Sequence, residues 1–351
     1  MSLIFDKISE SFSNELPFAC SRKPNKSNIK GYFCDSTEIN YLNTFREGGF
    51  VFSPFDTMET SIVFHEKNSQ ILNENFIKQE IESSTGELTI VSSNRKKHLQ
   101  LIKNGVDEIG KGSIKKIVLS RKESVKVSNF DLCATFKRLL SNYNNAFVYV
   151  WYHPKVGLWM GATPERLVSL KGNEFTTMAL ASTQLYKGDL NPEWGSKEKK
   201  EHQYVVDYIV SQIKNQNNGI VLNQFEVSDT YTAKAGNLLH LKADIKGVIG
   251  DFELRNLLKT LHPTPAVCGL PKEASKKFII EQENYDRLYY TGFLGEINVN
   301  QKTDLYVNLR CVEFHENVAN IYVGGGITAE SDPEKEWIET VSKTETIKKI
   351  L

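Results

Sequence analysis

The chain predicts an α+β protein, and three observations carry that expectation. Strand-like runs come in blocks interspersed with helices, without the regular βαβ alternation of a doubly wound parallel sheet. Of 351 residues, 40% are apolar and 25% charged, the ordinary balance of a folded globular chain. No Pro/Gly/Ser-rich linker, fixed-period repeat or long low-complexity tract divides it, so a single domain over 1–351 is expected.

The elements follow in order. Residues 1–90 are aromatic and turn-rich, and 49–52 and 61–64 read as short strands. Leu99, Ile102, Val106 and Ile109 recur at helical spacing, which predicts a surface helix over 92–110. A strand at 116–120 and a helix over 131–141 come next. Residues 147–152 and 157–160 are strands, and helices resume at 197–214 and 251–261. Strands return at 292–299, 304–312 and 320–323, and a helix from Pro333 closes the chain.

Bulk properties exclude several function classes. Lys plus Arg is 43 and Asp plus Glu is 43, so nothing supplies the basic excess that neutralises nucleic-acid phosphates. Uncharged apolar runs such as 146–152 are strand-length, far short of a membrane span. The N-terminus lacks a basic segment followed by an apolar one, so no signal peptide is expected. Cys20, Cys34, Cys133, Cys268 and Cys311 are scattered without CxxC spacing, which predicts free thiols in a reducing cytoplasm and no zinc site.

Two helices place carboxylates where apolar residues belong. Glu201 precedes Val205, Ile209 and Ile213 at steps of four, so a carboxylate shares the buried stripe. The bland alternative is a first-turn glutamate favoured by the helix dipole. In the last helix Asp332-Pro333 forms an N-cap and first-position pair. Glu336, Glu339 and Lys343 then share a face with Ile347 and Ile350. An unpaired buried charge costs several kcal/mol. A Mg²⁺ ion held by carboxylates and an anionic ligand is one reason to tolerate it; a solvated Glu339–Lys343 ion pair, with Trp337 and Val341 facing inward instead, is the other.

Further candidates lie on strands and turns. Gly324, Gly325 and Gly326 directly follow the strand 320–323, where backbone amides can converge on an anion or merely turn the chain. Arg310, among apolar neighbours on the strand 304–312, suits a carboxylate. Lys116 opens its strand beside Lys115, and burial with a like-charged neighbour moves a lysine toward the general-base range. Glu165 sits on a turn after a strand, suited to a catalytic acid or to a surface pair with Arg166. His240, flanked by leucines, reads more simply as a satisfied core histidine.

Together, Lys116-Ile117-Val118-Leu119-Ser120-Arg121, Gly161-Ala162-Thr163-Pro164-Glu165-Arg166, the run from Leu261 to Pro271 and Glu336-Trp337-Ile338-Glu339-Thr340 resemble the chorismate-utilising enzymes, and within them the isochorismate synthases. The resemblance spans about Lys115 to the C-terminus, within a motif-bearing catalytic part over 91–351; 1–90 is a variable part without a recognised motif. It implies one chorismate-binding domain with two large antiparallel sheets packed face to face and helices outside, the anthranilate synthase component I-like fold. It also implies Mg²⁺-dependent conversion of chorismate to isochorismate, with water entering at C2 and the C4 hydroxyl leaving. Lys116 would activate the water and Glu165 would protonate the leaving group. Glu201 and Glu339 would bind Mg²⁺ with Glu336 beside them. Arg310, Lys343 and the amides of Gly324, Gly325 and Gly326 would hold the enolpyruvyl carboxylate, and His240, Ala266 and Tyr290 would line the ring pocket.

Lys116 separates this reading from the ammonia-using family members, so no glutaminase partner is expected. Two rivals stay open: a salicylate synthase, which goes on to eliminate pyruvate, and a non-catalytic chorismate-binding module. Supply of menaquinone and of siderophore synthesis are equally open uses of the product. The chain departs from the family at Ser182, where glycine is usual, and it is expected to lack a family-length N-terminal extension.

Overall fold

A computed structural model describes residues 2–78, 88–215, 222–250 and 253–351. The first 78 residues form α1 (Leu3–Ser13) and strands β1 (Phe18–Arg22), β2 (Asn28–Cys34), β3 (Gly49–Ser53), β4 (Ile62–His65) and β5 (Ser69–Asn75). Then come β6 (Thr89–Ser92), α2 (Arg95–Gly110), β7 (Lys116–Lys126), α3 (Leu132–Asn142), β8 (Phe147–His153), β9 (Gly157–Thr163), β10 (Arg166–Lys171), β11 (Glu174–Leu185) and α4 (Ser196–Lys214). The remainder holds β12 (Leu222–Val227), β13 (Tyr231–Ala235), β14 (Leu238–Ile249), α5 (Leu254–Leu261), β15 (Gly269–Leu270) and α6 (Lys272–Gln282). Last are β16 (Phe293–Val299), β17 (Lys302–Val307), β18 (Cys311–His315), β19 (Val318–Ile327) and α7 (Pro333–Lys348).

The described strands pair into two sheets, antiparallel throughout. One runs β15-β7-β19-β18-β9-β8-β1-β2-β5 with β6 beside β7; the other runs β12-β14-β11-β10-β17-β16-β3-β4 with β13 beside β14. Their inner faces meet in an aromatic layer of Tyr32, Phe50, Phe52, Tyr149, Trp151, Trp159, Tyr306 and Tyr322. Large rings suit this layer because each buries much apolar surface, worth about 1.5–3 kcal/mol apiece. Rings from both sheets stack, as Phe147 does on Tyr306 with centroids 4.1 Å apart. Helices cover the outer faces: α4 and α5 pack on the second sheet, α1 and α3 on the first, and α2 and α6 over β7. This is the fold expected.

Local signals explain the helix starts. Asp131 caps α3 by accepting from the Ala134 N–H at 2.8 Å, and Asp332 caps α7 by accepting from the Lys335 N–H at 2.9 Å. The helix expected over 251–261 begins at Leu254; residues 251 and 252 lie outside the described residues. α1 was not anticipated, although Ile4, Phe5 and Ile8 give it a buried face.

Two expectations need correction. The strand expected over 304–312 is two strands in different sheets, β17 in the second and β18 in the first. The chain crosses between the sheets at Arg310, whose φ of +50° lies in the left-handed region. The glycine triplet does not turn the chain. Gly324, Gly325 and Gly326 continue β19, in register with Ser120, Leu119 and Val118 of β7.

Candidate active site

The site lies where the chain crosses between the sheets. Of the several crossings, 164–165 joins β9 to β10 and carries Glu165, and 308–310 joins β17 to β18 and carries Arg310. Backbone bonds bind the two corners together. The Val307 N–H donates to the Glu165 carbonyl at 3.0 Å, and the Ala162 N–H donates to the Arg310 carbonyl at 3.1 Å. A cavity at this seam is lined by Glu165, His240, Ala266, Tyr290, Arg310 and Lys343, together with Glu201, Glu339 and the three glycines. Thirteen residues were singled out from sequence; eleven of them line this one cavity, and Lys116 and Glu336 stand just behind it, paired to neighbours of its wall.

Glu165 is 3% exposed. Burial pushes its carboxyl up to about 8, against the lowering effect of the Lys116 charge and of the neighbouring Thr264 side chain. Lys116 is 1% exposed and pairs with Glu201 at 2.9 Å. Lys115, its expected like-charged neighbour, points out to solvent, so strand alternation separates the two ammonium groups.

The carboxylates of α4 and α7 converge above β19. A Cβ on Gly326 would lie 2.3 Å from Glu201 Oε1 and 3.0 Å from Lys116 Cε. One on Gly325 would lie 3.5 Å from Glu336 Oε2 and 3.9 Å from Glu339 Oε1. Glycine is therefore needed at 326 to admit the Lys116–Glu201 pair, not to bend the backbone. Each carboxylate carries its own lysine: Glu201–Lys116, Glu336–Lys197 at 2.6 Å and Glu339–Lys343 at 2.5 Å. Burial raises the Glu201 carboxyl, but Lys116, helped by Lys197 and Lys343, outweighs it and holds Glu201 below its ordinary value. Glu336 is held above its ordinary value, by burial and then by the charge of Glu339.

Three carboxylates offer the hard oxygen donors that Mg²⁺ takes. Among the described residues no three acidic, His or Cys side chains already stand as a metal site. The donor chemistry fits such an ion; in this arrangement lysines hold the donors.

The opposite wall is built to receive anions and hydroxyls. Arg310 is half-buried, and its buried Nη1 finds no partner among the described residues. Lys343 Nζ donates to the Gly324 carbonyl at 2.9 Å. Ser120 and Val118, opposite Gly324 and Gly326, send their N–H groups to Glu283 and to the Cys268 carbonyl. Gly324 and Gly326 are thus non-hydrogen-bonded positions toward β7, and their own N–H groups face the open side. β18 ends opposite Tyr322 at Cys311 and leaves that side unpaired.

His240 is not the bland core residue that its leucine neighbours suggest. Its Nδ1 bonds the Ser182 carbonyl at 2.8 Å, while Nε2 on the cavity wall has no partner among the described residues. Burial, then Arg310, pull its pKa down to about 3, so the ring is neutral and Nε2 is an acceptor.

One contributor, Ser182, stood out in the sequence only as a departure from the family, and another, Lys197, was missed. Ser182 has φ +62° at a bulge in β11, so the left-handed backbone that glycine favours is present with serine in place. Its hydroxyl lies 2.7 Å from the Glu198 carbonyl and 3.2 Å from Glu201 Oε2. Lys197 stands four residues before Glu201, and the same step of four that singled out Glu201 would have found it.

Comparison with known proteins shows the family and the fold. The family described as chorismate binding enzyme matches residues 50–351. Isochorismate synthase DhbC of Bacillus subtilis is 28% identical over 70% of this chain and 66% of its own length. Isochorismate synthase MenF of Escherichia coli is 28% identical over 72% of this chain and 59% of its own length. This chain thus spans roughly three-fifths to two-thirds of these relatives. Anthranilate synthase component 1 of Thermococcus kodakarensis is 24% identical over 77% of this chain and 64% of its own length. Among solved structures, a putative 2,3-dihydroxybenzoate-specific isochorismate synthase, DhbC from Bacillus anthracis, superposes with a TM-score of 0.80, 24% identity and 99% coverage of both chains. MenF of Escherichia coli gives 0.78 at 19% identity, covering 95% of this chain and 88% of its own. The chain belongs to the chorismate-binding enzyme family.

Proposed function

We propose that this chain is an isochorismate synthase, an isomerase that converts chorismate to isochorismate with Mg²⁺. The observation that carries the reading is the pairing of opposite protonation demands at one seam: Glu165, buried and held protonated near pH 7, and Lys116, buried within reach of its charge. A module that only binds chorismate needs carboxylate grips but no buried acid beside a buried amine.

In this reading Lys116 takes a proton from the water that bonds to C2. Both ring double bonds shift, C1=C2 to C1=C6 and C5=C6 to C4=C5, the C4–O bond breaks, and Glu165 gives its proton to the departing hydroxyl, which leaves as water. One water enters and one leaves, so the net change is an isomerisation. Lys116 acts as a base only once Glu201 stops holding its ammonium, so the ion pair is the resting arrangement rather than the working one. Mg²⁺, held by Glu201 and Glu339 with Glu336 beside them, would neutralise the ring carboxylate and orient it. Arg310, Lys343 and the free amides of Gly324 and Gly326 hold the enolpyruvyl carboxylate. His240 Nε2 accepts from a ring hydroxyl, and Ala266 and Tyr290 pack on the ring.

Incubating the purified chain with chorismate and Mg²⁺, then separating the products by chromatography, tests this. Isochorismate as the product supports it. Salicylate with pyruvate would move the chain to the rival synthase, and unchanged chorismate to the binding module.

A further inference from the structure

The three carboxylates at the candidate metal position, Glu201, Glu336 and Glu339, are matched by three ammonium groups, Lys116, Lys197 and Lys343. The cluster is neutral as it stands. A divalent ion entering it adds two positive charges to a largely buried place, which is costly unless a positive group leaves or an anion arrives. Two of the three lysines are poorly placed to leave. The Lys116 side chain is 1% exposed, and Lys343 is 13% exposed and also tied to the Gly324 carbonyl.

Lys197 differs. It is 31% exposed, and among the described residues its only hydrogen bond is to Glu336 Oε1 at 2.6 Å. It lies in the first turn of α4, where the helix dipole disfavours a cation, so the Glu336 carboxylate is what draws it inward. A second cavity, which shares Glu201 with the first, is lined by Lys197 itself with Tyr204, Thr328, Glu330 and two solvent-exposed lysines, Lys115 and Lys200. Glu330 is engaged only loosely, 3.9 Å from Lys200 with both side chains exposed, and offers a carboxylate to an ammonium that moves outward.

We propose that Lys197 is the stand-in cation of the ligand-free chain: it holds Glu336 in the position a metal requires and withdraws into the second cavity when Mg²⁺ arrives. This rests on the metal-dependent reading above and adds to it a residue that competes with the ion. Lys197 is thus a positioning residue, and its presence weakens metal binding. A lysine of purely structural role would do the opposite, since its removal would loosen Glu336.

The test is calorimetric titration of MgCl₂ into the full chain, wild type and Lys197→Met, without substrate. The variant is expected to bind Mg²⁺ on the order of tenfold more tightly. A second measurement needs no variant: reductive methylation of Lys197 in the wild-type chain, read by peptide mass spectrometry, should rise severalfold at saturating Mg²⁺. Equal or weaker Mg²⁺ binding by Lys197→Met, or labelling of Lys197 that Mg²⁺ leaves unchanged or slows, overturns the proposal. If the variant does not fold, the labelling decides alone. A wild-type chain that takes up no Mg²⁺, alone or with chorismate, overturns the metal-dependent reading itself and this inference with it, an outcome distinct from metal that binds without releasing Lys197.

Discussion

Burial holds the Glu165 carboxyl at about 8, so near pH 7 it carries the proton that a general acid must give. The same shift has a stability consequence. The folded pKa lies above the ordinary value of 4.5, so the folded chain binds more protons than the unfolded one between those values, and stability falls as pH rises through that window. The slope is at most about 1.4 kcal/mol per pH unit. Glu165→Gln removes the titration. Its melting temperature relative to wild type should therefore rise between about pH 5 and pH 9, while turnover falls on the order of 10²–10⁴-fold. A pH-independent difference in melting temperature would place the Glu165 carboxyl in water. Ser182 is the second residue whose chemistry can be isolated. A side chain at φ +62° costs roughly 1 kcal/mol, which its hydroxyl contacts offset. Ser182→Ala keeps the strain and loses the contacts, whereas Ser182→Gly loses both. Denaturant midpoints should order wild type and Ser182→Gly above Ser182→Ala; the reverse order of the two variants would show that backbone strain is not what the hydroxyl offsets.

Among the elements, β19 sets how closely α4 and α7 approach the sheet. A methyl at Gly326 would meet Glu201 Oε1 at 2.3 Å. Gly326→Ala should push Glu201 off Lys116, with overpacking costing about 1–3 kcal/mol and turnover falling far more than the loss of folded protein explains. Steady-state rates, corrected for the folded fraction by circular dichroism, check this; activity tracking the folded fraction would contradict it. These elements also show what was legible in the sequence. The stripes Glu201–Val205–Ile209–Ile213 and Glu336–Glu339–Lys343–Ile347 were readable because helical periodicity reports which face is buried. The break between β17 and β18 was not, because residues 304–312 hold no Gly or Pro and are rich in strand-forming apolar residues on both sides of the break. Only the fold requires that Arg310 take a left-handed conformation there. The glycine triplet misled for a related reason: glycine marks close approach as often as it marks a turn, and only the opposing side chains distinguish them.

For the whole molecule, two sheets meet through aromatic faces, and the candidate polar residues gather at the seam where β9 passes into β10 and β17 into β18. The family motifs in the sequence pointed to this architecture, and the Glu339–Lys343 pair within α7 was one of its readings, while the pairing of Glu201 with Lys116 and of Glu336 with Lys197 came from packing between separate elements. Among the described residues no helix is long and apolar enough to cross a membrane, and all five cysteines are free. The central claim is that this seam adds water to chorismate and expels a different oxygen. The most direct measurement is turnover of chorismate with Mg²⁺ in H₂¹⁸O, followed by mass spectrometry of the product. The account predicts isochorismate carrying one solvent oxygen, at C2. Chorismate recovered unchanged, or isochorismate without the label, would contradict it.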